Sequence, residues 1–223
     1  MAKFSLAARP RLSDEICDFL REAIHSGRFA PGTVLGQEQL AEELDVSRTP
    51  LREALRVLQN EGLLTIRRGN RVEVVSPDRG RFLDALVMRE VVDGAAARLC
   101  ADGQLSSRQR SAFDRALRAQ QEAIDPWDRV AFARADADLH AEILIASGNS
   151  YLAQQVNLVR LVIQVFQMER EFGPAAAAEK LEEHRSIVEA IAARDPIEAE
   201  ARARDHIRRV IDDLKQAPVG SAR

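Results

Sequence analysis

The run Val46-Ser47-Arg48-Thr49-Pro50-Leu51-Arg52-Glu53-Ala54-Leu55 constrains this chain most, because it dictates two different faces on one short helix. Leu51, Leu55 and Leu58 recur at helical spacing and form a stripe for burial. Arg48, Arg52 and Arg56 form a second stripe, about a quarter-turn round the same helix. Ser47 suits the N-cap, where its hydroxyl accepts from an otherwise unpaired backbone N–H of the first turn. Pro50 falls in that first turn, where a missing N–H costs nothing. Val46 and Leu51 have the spacing of a hydrophobic staple, which sets the angle at which the chain enters the helix. A leucine-anchored helix that presents guanidiniums and small hydroxyls from its N-terminal end has what a DNA recognition helix needs. An arginine stripe ordinarily means only a solvated face, so the flanking sequence has to decide.

The flanks favour the DNA reading. Gln37 to Leu44 reads as a short helix with Leu40, Ala41 and Leu44 inward, and the tight turn at Asp45-Val46 makes a helix-turn-helix. Arg11 to Ser26 is amphipathic, with Leu12, Ile16, Phe19, Leu20 and Ala23 at helical spacing. Pro31-Gly32 is turn chemistry, and Gly62 ends the recognition helix. Leu63 to Ile66 and Val72 to Val75 are strand-like runs joined by the basic turn Arg67-Arg68-Gly69-Asn70-Arg71, which makes a hairpin wing.

These residues resemble a known family at fixed spacing. Pro31-Gly32-Thr33-Val34-Leu35, Gln39-Leu40-Ala41, the ten-residue run above, Leu58, Glu61-Gly62-Leu63 and Gly69 resemble the DNA-binding domain of GntR-family transcription regulators, over roughly residues 10–76. The resemblance implies that Ser47, Arg48, Thr49 and Arg52 contact phosphates and base edges of a palindromic operator in double-stranded DNA. It also implies that Arg68 and Gly69 at the wing tip approach the adjacent minor groove. Two positions depart from the pattern. Asp45 stands where the family usually has Gly, and Asp tolerates a left-handed turn. Glu38 stands where some members of the FadR subfamily carry a DNA-contacting Arg, so phosphate contacts there are fewer or the site differs.

A net charge of −3 looks wrong for a DNA binder, but the average hides the distribution. From Ser47 to Val72 there are six basic residues against two acidic ones. A sequence-specific binder needs a local basic surface, not a basic whole. The chain's 223 residues suit two modest domains, and alanine is abundant after residue 90. There is no run of about 18 apolar residues to span a membrane, and the N-terminus has no apolar signal core. Cys17 and Cys100 lie far apart on apolar helix faces and read as reduced core thiols. These features point to a cytoplasmic chain.

Ser76-Pro77-Asp78 is the natural seam. Residues 1–10 read as a tail, 11–76 as the winged helix, 79–216 as an all-α domain and 217–223 as a second tail. The all-α part divides into six helices near 79–101, 106–124, 128–147, 150–171, 177–193 and 196–216. The fold class is therefore mainly α: three helices with a β-hairpin wing, then a six-helix bundle.

The bundle carries polar residues in the middle of inward faces. Asp136 and His140, four apart, share a face with Ala133, Ile143, Leu144 and Ser147. His184 is centred among Leu181, Ile187, Val188 and Ile191, and His206 flanks Ala199, Ala203, Val210 and Leu214. Three of the chain's four histidines are placed this way; the fourth, His25, ends the first helix. A buried acid needs a partner. Three imidazoles and a carboxylate facing one core make a plausible transition-metal site, although a lone inward histidine is more often a satisfied core residue. Arg89, inward with Phe82, Leu86, Val92, Ala96 and Cys100, either pairs internally with Asp93 or forks an effector carboxylate.

Asp136-Ala137-Asp138-Leu139-His140, Ala146-Ser147-Gly148-Asn149, Glu183-His184-Arg185, Ala190-Ile191, Asp195 and His206-Ile207 resemble the FCD ligand-binding domain of the FadR subfamily, over roughly residues 80–216. Six helices are closer to its VanR-like branch than to the seven-helix acyl-CoA-binding one. The resemblance implies a divalent metal (zinc, nickel or manganese) on Asp136, His140, His184 and His206, with Arg89 beside it for a small carboxylate effector. It also implies a homodimer and a repressor released by that effector. A metal-dependent enzyme on a DNA-binding head is the competing reading. No general base or nucleophile motif supports it, since Asp138, Glu142 and Glu183 have helical phases that point away from the ligands. A purely structural dimerisation module with core histidines is the third.

Overall fold

The structure, a computed structural model, describes residues 11–76, 79–169 and 173–216, so the two expected tails lie outside the described residues. The chain forms two compact units, Met1–Ser76 and Pro77–Arg223.

The first unit runs α1 (Leu12–His25), β1 (Val34–Gly36), α2 (Gln37–Glu43), α3 (Arg48–Asn60), β2 (Leu64–Arg67) and β3 (Arg71–Val74). Leu51, Ala54, Leu55 and Leu58 are at most 1% exposed, so the leucine stripe of α3 is its buried face. Ile16, Leu20 and Ile24 of α1 and Leu40 of α2 join the core. Asp45 has φ 50°, the left-handed turn that lets α2 and α3 meet with so few residues between them. Ser47 is the N-cap of α3 by its extended backbone, but its side chain makes no capping hydrogen bond. The exposed hydroxyl is left to solvent, which corrects the expected cap.

The sheet has three strands, not two. β3 pairs antiparallel with β2 (Leu64 opposite Val74, Arg67 opposite Arg71) and with β1 on its other edge (Leu35 opposite Val72). A three-residue strand carries no readable period; β1 exists because β3 offers it a free edge. A two-pronged ion pair also ties α1 to the end of α3. Arg21 donates from Nε to Glu61 Oε2 at 3.0 Å and from Nη2 to Glu61 Oε1 at 2.8 Å.

The second unit runs α4 (Arg79–Asp102), α5 (Ser107–Glu122), α6 (Arg129–Ala146), α7 (Ser150–Ala153), α8 (Val156–Glu169), α9 (Pro174–Ala192) and α10 (Pro196–Gln216). The helix expected over 150–171 is divided. Asn149 caps α7 by accepting from the backbone N–H groups of Tyr151 and Leu152, and Gln155 donates back to the Tyr151 carbonyl at 3.4 Å, closing a single turn. The chain then restarts as α8. Pro174 opens α9 three residues earlier than expected, in the first turn that tolerates proline.

The core of this unit is built from alanine, leucine, isoleucine and valine of α4, α5, α6, α8, α9 and α10, with Phe113 among them. α4 and α10 approach closely at Gly94, where a Cβ would lie 2.5 Å from Cγ of Arg204. Glu90 seals the same seam by accepting from Arg204 and Arg208 at 3.1 and 3.0 Å. Cys17 and Cys100 are buried free thiols, and burial pushes Cys100 up to about 12. Among the described residues no helix is long and apolar enough to cross a membrane.

The partly buried Arg21–Glu61 fork is worth about 1–3 kcal/mol, as hydrogen bonds to charged groups are. Glu61→Ala is expected to speed amide hydrogen exchange in α1 and α3 by on the order of tenfold while α4–α10 exchange as before. Unchanged protection in α1 would show that the fork does not hold the unit together.

Candidate functional site

In the first unit the sequence-predicted DNA residues lie together at the surface. Ser47, Arg48, Thr49, Arg52 and Arg56 are all exposed along the start of α3, on the side away from the buried leucines. Arg68 and Gly69 sit at the hairpin tip, exposed. Gly69 has φ 77° and Asn70 φ 54°, and a Cβ at Gly69 would meet nothing within 4 Å. The backbone conformation, not space, is what calls for glycine there. Arg67 is tied to Glu73 at 2.6 Å, and Arg48 to Glu38 at 2.9 Å. Arg52, Arg56 and Arg68 have no ion-pair partner among the described residues, so three guanidiniums are free for an anionic ligand.

In the second unit Asp136, His140, His184 and His206 converge in the interior, at 6, 4, 0 and 4% exposure. α6 supplies the first two one turn apart, α9 supplies His184, and α10 supplies His206. Each imidazole has a ligand atom within 4.8 Å of the other two.

Each ring is held from behind. His184 Nδ1 lies 2.7 Å from Gln120 Oε1. The Gln120 amide nitrogen donates to the Ala135 carbonyl at 3.3 Å, which sets the amide's orientation and leaves its oxygen facing the ring. His206 Nδ1 lies 2.6 Å from the Glu183 carboxylate, and His140 Nδ1 lies 3.1 Å from Asp93 Oδ2. All three partners are acceptors, so each Nδ1 carries the proton and donates it. In the neutral rings of His184 and His206, Nε2 is then a bare lone pair facing inward. His184 Nε2 and His206 Nε2 are 3.2 Å apart. Asp136 Oδ1 lies 3.3 Å from His140 Nε2 and 3.5 Å from His184 Nε2. Asp136 Oδ1 and His140 Nε2 are buried without a hydrogen bond.

Asp136 Oδ1 and His140 Nε2 are therefore buried polar atoms that call for a partner. A second proton is disfavoured on two of the three rings. Burial first, and then the neighbouring imidazoles and Lys180, hold His184 and His206 well below the ordinary imidazole value. Burial and Arg89 oppose charging His140 as well, but Asp136 and Asp93 outweigh them and raise it. Burial pushes Asp136 up, yet the imidazoles of His140 and His184 and the Lys180 ammonium win and hold it ionised, below the usual carboxylate range. Two neutral imidazoles, the His140 ring and the Asp136 carboxylate are nitrogen and oxygen donors of the kind a first-row divalent ion takes.

Arg89 is buried and pairs with Asp93, Nη2 to Oδ2 at 2.8 Å, while its Nε has no partner. Asp93 thus bridges Arg89 and His140; burial pushes its carboxyl up, but Arg89 and His140 lower it to about 2. Sequence reading missed two of the ring holders. Gln120 had a visible signal, a polar residue in line with the apolar Phe113 and Ala116 of α5. Glu183, whose helical phase points away from the ligands, instead reaches the back of His206 on the next helix, and also accepts from Arg209. Asp138 does face elsewhere, to Arg160 at 2.8 Å. The side chain of His25 lies outside the described ones.

A winged head with free arginines on α3, followed by a helical unit around a three-histidine cluster, is the architecture of a DNA-binding transcription regulator. Residues 12–74 match the model of the bacterial regulatory proteins of the gntR family, and residues 84–209 match the FCD domain. The chain is 30% identical over 204 residues to a probable D-xylose utilization operon transcriptional repressor of Paenarthrobacter nicotinovorans, covering 89% of this chain and 87% of that one. It is 26% identical to the HTH-type transcriptional repressor NanR of Klebsiella aerogenes, over 91% and 85% of the two chains. Among solved structures, E. coli McbR/YncC superposes with a TM-score of 0.80 at 20% identity, covering 93% of this chain and 99% of that one, a likeness of fold. The chain belongs to the GntR family and carries an FCD domain; like its relatives it is a transcription regulator and not an enzyme.

The ring geometry makes a direct spectroscopic statement. In chelator-treated, nitrogen-15-labelled protein, His184 and His206 are expected as Nδ1–H tautomers in long-range nitrogen–proton correlation spectra. An Nε2–H tautomer at His184 would mean that Gln120 does not set the ring.

Proposed function

We propose that this regulator is a metal-dependent sensor of a small organic acid that represses transcription until the acid binds. The observation that carries the reading is the set of inward atoms on Asp136, His140, His184 and His206, buried together with neighbouring atoms 3.2, 3.3 and 3.5 Å apart. These four residues hold a divalent transition ion: zinc, nickel or manganese. When bound, the ion supplies a Lewis-acid contact for an anionic effector. Arg89 offers a second contact, since Asp93 occupies one nitrogen of its guanidinium and leaves Nε buried without a partner.

On the DNA side, Ser47, Arg48, Thr49 and Arg52 enter the major groove, and Arg68 and Gly69 reach the neighbouring minor groove. The leucine-buried, arginine-exposed division of α3 supports this. Two copies, joined through the helical unit, place two such helices on the halves of a palindromic operator. The protein works in the cytoplasm, where its DNA is. Two relatives, those of Paenarthrobacter nicotinovorans and Klebsiella aerogenes, are described as repressors, which favours repression over activation. Effector control requires that the acid bind one arrangement of the bundle better than another.

Two measurements test the reading. Gln120→Leu keeps the volume but removes the acceptor behind His184, so zinc affinity in a competitive chelator titration is expected to fall about 10- to 100-fold; wild-type protein that takes up no zinc, nickel or manganese would refute the metal site. Arg52→Ala is expected to weaken binding to a selected duplex by about 1–3 kcal/mol at fixed salt. Equal binding by Arg52→Ala would remove α3 from the interface.

A further inference from the structure

Glu38 looks misplaced. It is an acid in the first turn of α2, on a surface expected to meet phosphate, and Glu42 and Asp45 line the same hollow beside the head of α3. The structure gives it a partner. Arg48 Nη2 lies 2.9 Å from Glu38 Oε1, an ion pair that crosses from α2 to the first residue of α3. Both side chains are well exposed, at 68 and 61%. An exposed pair of this kind contributes close to nothing to stability. Its consequence is therefore to be sought in what the pair presents outward.

Three guanidiniums on this surface, those of Arg52, Arg56 and Arg68, have no carboxylate partner among the described residues. They are suited to phosphate. Arg48 is not, because Glu38 offsets its charge and repels the backbone. A guanidinium has five N–H donors, and the carboxylate takes one of them through a single oxygen. The opposite edge of Arg48 stays free as a two-pronged donor, and the second Glu38 oxygen stays free as an acceptor. A donor fork beside an acceptor is complementary to one base pair in the major groove. Guanine offers two acceptors, O6 and N7, and its cytosine offers the N4 amine next to them. An A·T pair presents an amine to the fork and a carbonyl to the carboxylate, and both juxtapositions repel.

We propose that Glu38 and Arg48 read a G·C pair together, with Glu38 as a specificity-determining residue that keeps Arg48 off the phosphates. The inference rests on α3 being the recognition helix. It makes the acid costly for affinity and useful for discrimination: without the Glu38 charge, the protein binds DNA at large more tightly and this base pair less selectively.

The test uses the full chain as wild type, Glu38→Gln, Arg48→Ala and Arg52→Ala. Each is selected against one pool of duplexes with a randomised core, and the best duplex is then competed against variants carrying each single base-pair change, at one salt concentration. Wild type is expected to demand G·C at one position by on the order of tenfold or more. Glu38→Gln and Arg48→Ala are both expected to lose that demand at the same position and to keep the others. Glu38→Gln is also expected to bind a scrambled duplex more tightly than wild type, with an unchanged melting temperature. Retention of the G·C demand by Glu38→Gln, or its loss at a different position from Arg48→Ala, would overturn the joint reading while leaving α3 in the groove. If Arg48→Ala and Arg52→Ala both select and bind as wild type does, or wild type enriches no sequence, the recognition-helix assignment itself falls, and the proposal with it.

Discussion

The helical unit is organised by the cost of burying polar atoms. A carboxylate and three imidazoles at 6% exposure or less would each cost several kcal/mol if left unpartnered. The outward-facing nitrogens are dealt with by hydrogen bonds, and each acceptor comes from a different helix: Asp93 from α4, Gln120 from α5 and Glu183 from α9. Of the inward-facing atoms, Asp136 Oδ1 and His140 Nε2 are not. Two such unpaired atoms inside a ring of paired ones need an explanation, because an ordinary buried histidine is satisfied on both sides. The outer bonds also aim the rings, so their inner nitrogens face one another.

The DNA-binding head obeys the opposite rule. Its polar side chains stay in water and its apolar stripe makes the fold. Leu51, Leu55 and Leu58 are fully buried, and each carries roughly 1.5–3 kcal/mol of transfer free energy as a leucine does. Those leucines leave α3 no freedom to rotate, so the arginines a quarter-turn away are held outward without any contact of their own. Function on this surface is accordingly cheap in stability. Arg52 and Arg56 have no ion-pair partner among the described residues, and the Glu38–Arg48 pair is too exposed to hold the fold.

Both patterns are legible in the sequence to the extent that they live on one helix. Asp136 and His140 are one turn apart, and His184 and His206 each interrupt an apolar stripe, so the inward quartet can be read from spacing. Asp45 at φ 50° is legible for a different reason: a turn so short demands a left-handed residue, and aspartate is one of the few that accept it. What escapes is whatever depends on a neighbour. Glu183 has its own helix's outward phase, and its partner His206 is 23 residues away on α10. The strand β1 has no pattern of its own and is defined by the edge of β3. The break between α7 and α8 depends on Asn149 closing one turn before the apolar stripe of α8 begins. Ser47 was legible as a cap position, but the backbone alone makes the cap.

The division of the quartet among helices has a mechanical consequence. Asp136 and His140 share α6 and keep their separation whatever the bundle does. His184 and His206 lie on α9 and α10, which the turn at Arg194-Asp195 joins, with Arg194 at φ 59°. An ion held by all four, as proposed above, would fix the α9–α10 pair against α6, and only arrangements that alter that relation would change its affinity. α10 in turn is closed against α4 at Gly94, where no side chain intervenes, and by Glu90 holding both Arg204 and Arg208. A displacement of α10 is therefore carried by α4 and not absorbed between them, because well-packed contacts shift as units and do not deform smoothly. α4 is also the helix that the chain enters on leaving the DNA-binding head, so the element locked to the histidine-bearing α10 is the first one downstream of the seam.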